Sequence, residues 1–342
     1  MTTRLTGVVL LEGPDGAGKT TLAEHLCKKY DGHYVHRTWH KGMDVWSHHS
    51  EALEIANERS ANQLVVIDRL WPSEAIYGRV FRKESDYKHN SRAMDRVLLR
   101  FATINVLCVP PVEYVVDVHA RKAREGLEMY SSVEQVAKLY DRWAYGTGLV
   151  FDAAGDIIEQ QASLGGFANI RRDALVYDVT KDGADLERYS ELLEEKLRWR
   201  QSKQFKFALD SKTPNILGHK EDADFIFVGE QLGDLHTWSR WPFYARSHSP
   251  DFLNRSLHEI TYEEPRGLWT NAWDEDNRLP QIWNERDKDY RVIALGRKAE
   301  RRCEALKIPV HAMVPHPSWA RRFNHYGQRG ELYSDTLKKA LS

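Results

Sequence analysis

Short runs of apolar residues alternate with amphipathic stretches along the chain of 342 residues. Each run is continuous instead of alternating with polar residues, which is typical of strands buried on both faces of a parallel sheet. Strands that alternate with helices in this way indicate an α/β fold. In the first half, the pattern predicts strands at residues 8–11, 63–68, 113–118 and 175–179, and helices at 20–30 and 185–203.

A second cycle of the same pattern starts after residue 203. Apolar runs at 224–228 and 290–295 predict two further strands, and two shorter runs follow at 308–310 and 313–314. Between the cycles lies a polar stretch that contains a proline, which is typical of a linker. We therefore expect two α/β domains, residues 1–203 and residues 215–342, joined by a linker at 204–214.

The composition is that of a globular protein and excludes several classes of site. Hydrophobic residues make up 42% of the chain and charged residues 29%. Lys and Arg number 49 against 50 Asp and Glu, so nucleic-acid binding requires a local patch instead of an overall basic field. The three cysteines, Cys27, Cys108 and Cys303, lie far apart, which argues against a disulfide framework, a zinc site and an iron–sulfur cluster.

The lengths of the apolar runs also bear on where in the cell the protein is found. None approaches the ~18 residues that a membrane-spanning helix needs. The short N-terminal apolar run is predicted to be the first strand and not a signal peptide. We therefore expect a cytoplasmic protein without a membrane partner.

The first predicted strand runs directly into a phosphate-binding loop. Residues 13–20, GPDGAGKT, fit the pattern GxxxxGK[ST] between a strand and a helix. In such a loop, backbone N–H groups surround phosphate oxygens, the lysine reaches the β- and γ-phosphates, and the hydroxyl group binds Mg²⁺. The motif predicts ATP and Mg²⁺ as cofactors, Lys19 as catalytic and Thr20 as a metal ligand. The predicted ATP-binding residues are Gly13, Pro14, Asp15, Gly16, Ala17, Gly18, Lys19, Thr20 and Thr21.

Further charged residues follow the other predicted strands. Asp68 closes the second strand, where a carboxylate can bind magnesium directly or through water, or can simply cap the next turn. Arg121 and Arg124 are three residues apart and share a helical face. There they can close over the transferred phosphates, or belong to a solvated charged surface. Asp68, Arg121 and Arg124 are therefore candidate catalytic residues, and Asp68 is also a candidate metal ligand.

Residues 11–21, LEGPDGAGKTT, resemble the opening of thymidylate kinases, a family of P-loop kinases with a three-layer fold and a parallel sheet. The family carries an acid inside the loop, so the resemblance implies that Asp15 holds the deoxyribose side of the acceptor. Asp68-Arg69 resembles the family's Asp-Arg pair, in which the arginine grips the acceptor's phosphate. Residues 121–128 resemble its arginine-bearing lid.

This resemblance covers about residues 5–203. It implies an acceptor site formed by Glu12, Arg69, Ser73 and Tyr77. The histidine-rich region 33–60 does not match the family, so the acceptor stays open. The group that activates the acceptor also stays open among Glu12, Asp15 and Asp68.

Residues 215–325 are similar to the uracil-DNA glycosylase superfamily, in the order of Gly229-Glu230, Phe243, Asn271, Ala294-Leu295-Gly296 and His316-Pro317-Ser318. The resemblance implies an α/β fold smaller than that of the kinase half. It also implies that Phe243 stacks on a flipped-out base and that Asn271 reads the edge of that base. By the same resemblance, Glu230, or alternatively Asp234, handles the attacking water and His316 stabilises the departing base. Leu232 departs from the family, where many members have proline.

Together the two halves resemble bacteriophage kinases that phosphorylate 5-hydroxymethyluracil in DNA during thymine hypermodification. The resemblance implies an ATP-dependent phosphotransferase that acts on DNA containing a modified pyrimidine, in the host cytoplasm if the source is viral. A first alternative is a kinase for free deoxynucleoside monophosphates fused to a uracil-DNA glycosylase. A second alternative is a non-catalytic protein that binds nucleotides and DNA, against which Lys19, Thr20 and Asp68 argue together with the two lid arginines.

Overall fold

The opening strand β1, Gly7–Glu12, is buried along its entire length, as expected for a central strand of a parallel sheet. The structure is a computed structural model that describes residues 4–36, 44–82, 94, 96–98, 101–125, 132–145, 150–151, 157–158, 174–203, 216–218, 223–230, 243, 248–260, 265–273, 277–323 and 328–342.

Five parallel strands form the first sheet, in the order β2-β3-β1-β4-β7. Besides β1, they are β2 (His33–His36), β3 (Leu64–Asp68), β4 (Thr103–Cys108) and β7 (Leu175–Tyr177). A separate antiparallel pair consists of β5 (Val150–Phe151) and β6 (Ile157–Ile158).

The helices of this part follow the strands in chain order. They are α1 (Lys19–Tyr30), α2 (Val45–Arg59), α3 (Trp71–Ser73) with the π-helix Glu74–Arg82, α4 (Val112–Arg124), α5 (Val133–Tyr145), the 3₁₀-helix Asp182–Ala184 and α6 (Leu186–Lys203). Buried residues of β1, α1, β4 and α6 form a shared apolar core.

The predicted strand at 113–118 is wrong, because these residues belong to helix α4. Tyr114, Val115, Val116 and Val118 favour a strand by composition. However, the buried residues of α4 are Val115 and His119, a spacing of four that suits one face of a helix. The strand of this region is instead β4, where Thr103 and Asn105 interrupt the apolar run.

The second sheet also has five strands, in the order β12-β11-β9-β10-β8, with only the β8–β10 pair antiparallel. Its strands are β8 (Ile216–Leu217), β9 (Phe225–Gly229), β10 (Gly267–Asn271), β11 (Arg291–Leu295) and β12 (Ala312–Val314). Its helices are α7 (His248–Ile260), α8 (Arg278–Asn284), α9 (Arg297–Ala305), α10 (Pro317–Phe323) and α11 (Gln328–Leu341). The prediction of an α/β fold with parallel sheets is confirmed.

Two compact units divide the chain. The first unit comprises residues 1–91 and 101–202, and the second comprises residues 92–100 and 203–342. The second unit thus includes a short segment from within the sequence of the first. Met94, Val97 and Leu98 of this segment are buried. No helix among the described residues is long and apolar enough to cross a membrane.

Candidate active site

The phosphate-binding loop lies between the end of β1 and the start of α1. Gly16 and Gly18 have φ angles of +84° and +83°, in the left-handed region that glycine tolerates best. A Cβ atom at Gly18 would lie 2.8 Å from a methyl group of Val179. Because Gly18 directly precedes α1, the loop directs the backbone N–H groups of the helix start toward a bound anion.

The amine of Lys19 lies across this loop. Its Nζ atom donates to the carbonyl oxygens of Gly13 at 3.1 Å and Pro14 at 2.8 Å. Burial lowers the pKa of Lys19 and the nearby Arg69 lowers it further, whereas Asp68 and Asp15 oppose this shift. A buried cation held by weak carbonyl acceptors is well placed to turn to phosphate oxygens when a nucleotide enters.

The residues around Asp68 fit a magnesium ion. The Asp68 Oδ2 atom accepts a hydrogen bond from the Tyr34 hydroxyl at 2.8 Å and lies 3.1 Å from His36 Nδ1. Its Oδ1 atom is buried and has no hydrogen-bond partner among the described residues. Burial raises the pKa of Tyr34, and the Thr20 side chain opposes this shift, so Thr20 lies near the hydroxyl that contacts Asp68.

Such an arrangement suits magnesium because this ion prefers oxygen ligands and usually binds one or two carboxylates together with substrate phosphates. The described part of the chain contains no cluster of three or more His, Cys, Asp and Glu side chains that could enclose a metal. Thr20 and Asp68 stay the ligands predicted from the sequence.

Asp15, Arg69 and Tyr77 form a second cluster beside the loop. Arg69 Nη2 donates to Asp15 Oδ1 at 2.5 Å, to the Tyr77 hydroxyl at 2.8 Å and to the Gly13 carbonyl at 3.2 Å. Burial alone would raise the pKa of Asp15, but the Arg69 and Lys19 cations outweigh it and hold this pKa well below its usual range. Asp15 is therefore a weak proton acceptor, and its charge holds Arg69 in place.

Glu12 lies beneath this cluster and is buried. Its Oε1 atom accepts from the Leu70 N–H at 2.8 Å, and its Oε2 atom accepts from Ser73 Oγ at 2.6 Å. The Tyr140 hydroxyl contacts both Ser73 and Glu12. Both carboxyl oxygens are thus engaged with the turn that follows β3. This geometry supports a role for Glu12 in holding the Asp68-Arg69 turn.

The buried carboxyl of Glu12 predicts a specific pH dependence of stability. Burial raises the pKa of Glu12 from 4.5 to about 7, against the opposing effects of Ser73, Leu70, Arg69 and Lys19. Between these values the folded chain keeps a proton that the unfolded chain releases, so stability falls as the pH rises through this window. Glu12→Gln, which mimics the protonated form, should remove this loss.

Denaturant titration without nucleotide at about pH 5 and pH 8 measures the effect. The quantity compared is the free energy of unfolding of Glu12→Gln minus that of the wild type. This difference should rise by ~1–3 kcal/mol from the lower to the higher pH. The exposed Glu191→Gln on α6 is the control. An unchanged difference between variant and wild type at the two pH values would contradict the expectation.

The two predicted lid arginines lie in the last turn of α4, and both are exposed. Arg124 Nε donates to the Ala120 carbonyl of the same helix at 3.3 Å. The structure thus does not bring them into the cluster of Lys19, Asp15 and Asp68, and residues 126–128 of the predicted lid lie outside the described residues. Earlier in the same helix, His119 Nε2 lies 3.1 Å from the Asp15 carbonyl oxygen and links α4 to the loop.

In the second unit, Asn271 and Phe243 lie beside Gly229. A Cβ atom at Gly229 would lie 2.6 Å from both Asn271 Oδ1 and Phe243 Cζ, so only glycine fits there. Asn271 is buried, and its Nδ2 atom has no hydrogen-bond partner among the described residues. An unsatisfied buried amide is costly unless a ligand completes it.

Glu230 and His316 line a cavity of about 430 Å³ together with Gly296, Arg297, Lys298, Met313, Pro315 and Trp319. Lys298 Nζ forms an ion pair with Glu230 Oε1. His316 Nδ1 accepts a hydrogen bond from the Ser318 N–H at 3.2 Å. Burial lowers the pKa of His316, partly offset by Glu230, which favours the neutral form of the ring. Asp234, the alternative to Glu230, lies outside the described residues.

Several residues that contact the predicted site residues were not predicted from the sequence. Tyr34, His36, His119, Tyr140 and Lys298 each contact a predicted site residue. His36 belongs to the histidine-rich region that departs from the kinase pattern, and His119 opens the basic run that contains Arg121. These two had a visible signal in the sequence, whereas Tyr140 and Lys298 lie in ordinary helical stretches.

Comparison with known proteins gives low similarities. No protein-family model and no curated protein sequence matches this chain. Among solved structures, the YorR protein from Bacillus subtilis in complex with phosphorylated GDP is 15% identical, with a TM-score of 0.38, covering 58% of this chain and 99% of its own.

Two further structures are similar at the same level. The deoxyadenosine kinase from M. mycoides with bound dATP is 14% identical, with a TM-score of 0.33, covering 56% of this chain and 99% of its own. The shikimate kinase from Acinetobacter baumannii in complex with shikimate is 18% identical, with a TM-score of 0.33, covering 57% of this chain and 94% of its own. The function of this chain therefore rests on its own residues.

Proposed function

We propose that this chain is an ATP- and Mg²⁺-dependent kinase that phosphorylates the hydroxymethyl group of 5-hydroxymethyluracil in DNA. The observation that carries the kinase assignment is the meeting of three groups at the end of β1. They are the phosphate-binding loop, the buried amine of Lys19, and Asp68 with an oxygen free for a cation among the described residues. Their charges match a nucleoside triphosphate bound with its metal.

In this reaction the acceptor hydroxyl oxygen forms a bond to the γ-phosphorus, the bond from this phosphorus to the β,γ-bridging oxygen breaks, and ADP leaves. Lys19 neutralises the negative charge on the transferred group. Bound at Thr20 and Asp68, Mg²⁺ would supply the same electrostatic help to the β- and γ-oxygens. The loose transition state of phosphoryl transfer needs little help from a base, so the acceptor's proton can leave to a phosphate oxygen or to water.

Arg69 supports the acceptor assignment. About a quarter of its side chain, 24%, stays exposed while Asp15 and Tyr77 fix its position. A guanidinium group held in this way presents donors for a phosphate or a hydroxyl at little cost in side-chain entropy. We assign Arg69 to the phosphate nearest to the acceptor base.

The second unit supports a base in DNA as the acceptor. Asn271 has the donor and the acceptor that the edge of a uracil-type base requires, and its amide nitrogen lacks a partner among the described residues. The ion pair between Lys298 and Glu230 holds the acid that would otherwise activate a water. This pairing favours binding of the base over excision of the base.

The decisive experiment measures ADP release by the full-length chain on three acceptors. They are DNA with 5-hydroxymethyluracil, the same DNA with thymine, and free deoxynucleoside monophosphates. Release with the modified DNA alone supports the proposal. Release with free monophosphates alone would contradict the proposal and indicate a kinase for free nucleotides. No release with any of the three acceptors would indicate a protein that binds nucleotides and DNA without turnover.

Substitution of the two base-binding residues tests the second unit. Phe243→Ala should weaken the use of modified DNA by about 5- to 100-fold, the range expected for one base–aromatic stack. Asn271→Ala should act more selectively on uracil-type bases because it removes edge recognition and leaves contacts to phosphates in place. ATP binding should be unchanged in both variants.

Exposed residues of the same type provide matched controls. Trp199→Ala on α6 and Asn284→Ala at the end of α8 remove an exposed ring and an exposed amide. Both should behave as the wild type in the assay with modified DNA. Equal turnover of Phe243→Ala, Asn271→Ala and the wild type on this DNA would contradict base reading by the second unit.

A further inference from the structure

The segment 92–100 lies within the sequence of the kinase half but belongs to the second unit. Its residue Arg96 is completely buried, with 0% of its surface exposed. An arginine is almost never buried to this extent unless its charge has dedicated partners. The contacts of Arg96 therefore bear on what the second unit does.

Arg96 contacts Phe243, the residue predicted to stack on the base, and Trp269, on which Phe243 packs. Its guanidinium carbon is 4.0 Å from the centroid of the Trp269 ring, a favourable cation–π distance. Its Nη1 atom donates to the backbone carbonyl of Phe243 at 3.4 Å. Phe227 stacks on Trp269 with ring centroids 4.0 Å apart and an interplanar angle of 9°. Trp269 is thus packed by an arginine and a phenylalanine of its own unit.

Phe243 has a backbone conformation that needs such support. Its φ angle is +56°, which is unusual for a bulky residue other than glycine. Strained conformations of this kind persist only where the surrounding contacts enforce them, and they concentrate at functional sites. The ring of Phe243 meets Trp269 edge-on, with centroids 5.6 Å apart, and its carbonyl is held by Arg96.

We propose that Arg96 is a positioning residue for base recognition. It fixes Phe243 through its carbonyl and through Trp269, so that the Phe243 ring is oriented for a nucleobase before DNA arrives. Its side chain is buried and acts on DNA only through Phe243. The proposal rests on the proposed reading of bases by the second unit, and it places one determinant of this reading in the sequence of the kinase half.

The test measures equilibrium binding of the full-length chain to a fluorescent oligonucleotide with one 5-hydroxymethyluracil, by anisotropy and without ATP. Arg96→Met keeps much of the side-chain length but removes the charge and the donors. It should weaken binding by about 5- to 100-fold, as much as Phe243→Ala does. Arg96→Lys keeps a cation over Trp269 but loses the fork of donors, and its loss should be intermediate.

The double variant separates positioning from a general effect on folding. If Arg96 acts through Phe243, Arg96→Met should add less than about 2-fold to the loss in a Phe243→Ala background. If the double variant instead loses affinity by the product of the two single losses, the proposal is overturned. Arg301→Met, at an exposed arginine of α9, is the matched control, and ATP affinity and thermal midpoint are measured for every variant. If Arg96→Met lowers the thermal midpoint, the same double-variant test is made with Arg96→Lys, alone and together with Phe243→Ala. A loss from Arg96→Lys that disappears in the Phe243→Ala background supports the proposal, and a loss that persists there overturns it.

The outcomes distinguish the inference from the proposed function. A loss with Phe243→Ala but none with Arg96→Met would overturn the positioning role and leave base reading intact. If Phe243→Ala leaves binding unchanged, base reading fails and the role of Arg96 fails with it. The kinase activity on any acceptor is a separate measurement and is independent of both results.

Discussion

Lys19→Ala should lower phosphoryl transfer by a factor of ~10³ or more, because the γ-phosphate loses its predicted principal cation in a site shielded from water. In the structure, the Lys19 amine is buried and bonded to two carbonyl oxygens of the loop. The glycines and the backbone N–H groups of the loop remain in the variant and can still bind the other phosphate oxygens. Turnover should therefore fall much more than the affinity for ATP.

Lys28→Ala is the matched control, since Lys28 is an exposed lysine of the same helix α1. It should retain the wild-type rate. The measurement is ADP release under single-turnover conditions, together with ATP affinity at equilibrium. Near-normal turnover of Lys19→Ala would exclude the kinase assignment, whatever the acceptor.

Asp68→Asn should lower turnover by about 10²-fold or more and shift the Mg²⁺ dependence to higher concentration. The amide keeps the shape of the carboxylate and can still accept a hydrogen bond from Tyr34, but it removes the negative charge that attracts the cation. Because Asp68 Oδ1 is buried without a hydrogen-bond partner among the described residues, the nearby Lys19 and Arg69 cations balance the charge of Asp68.

A titration with Mg²⁺ at saturating ATP measures this shift, and added Mg²⁺ should recover part of the lost rate. Asp117→Asn, at an exposed position of α4, should leave both the rate and the titration unchanged. If Asp68→Asn has a wild-type titration midpoint, Asp68 does not bind the metal and serves the turn after β3 instead.

The phosphate-binding loop and its two flanking elements could be predicted because their determinants are local. The motif fixes the backbone: glycine stands where φ is positive, and the helix begins at the lysine. The helix α4 could not be read from composition, because its valines and tyrosine also suit a strand. Only packing decides this case, by burying Val115 and His119 on one face.

The surroundings of Asp68 and Glu12 depend on pairings that the sequence does not show. His36 comes beside Asp68 because β2 and β3 pair in parallel with these two residues in register. Tyr140 reaches Glu12 across 128 residues of sequence. Neither the register of two strands nor such a long-range contact follows from periodicity. For the same reason, a role for Arg96 could not be predicted from the sequence, because its segment belongs to the unit formed mainly by the second half of the chain.

The segment 92–100 has a consequence for folding during synthesis. Met94, Val97 and Leu98 are buried, and their segment belongs to a unit whose strands β9, β10 and β11 end only at residue 295. At ~5–20 residues per second, the ribosome needs roughly 10–40 s to make the chain between residues 100 and 295. Until then the second unit is incomplete, so the apolar side chains of the segment are available to chaperones once they have left the ribosome.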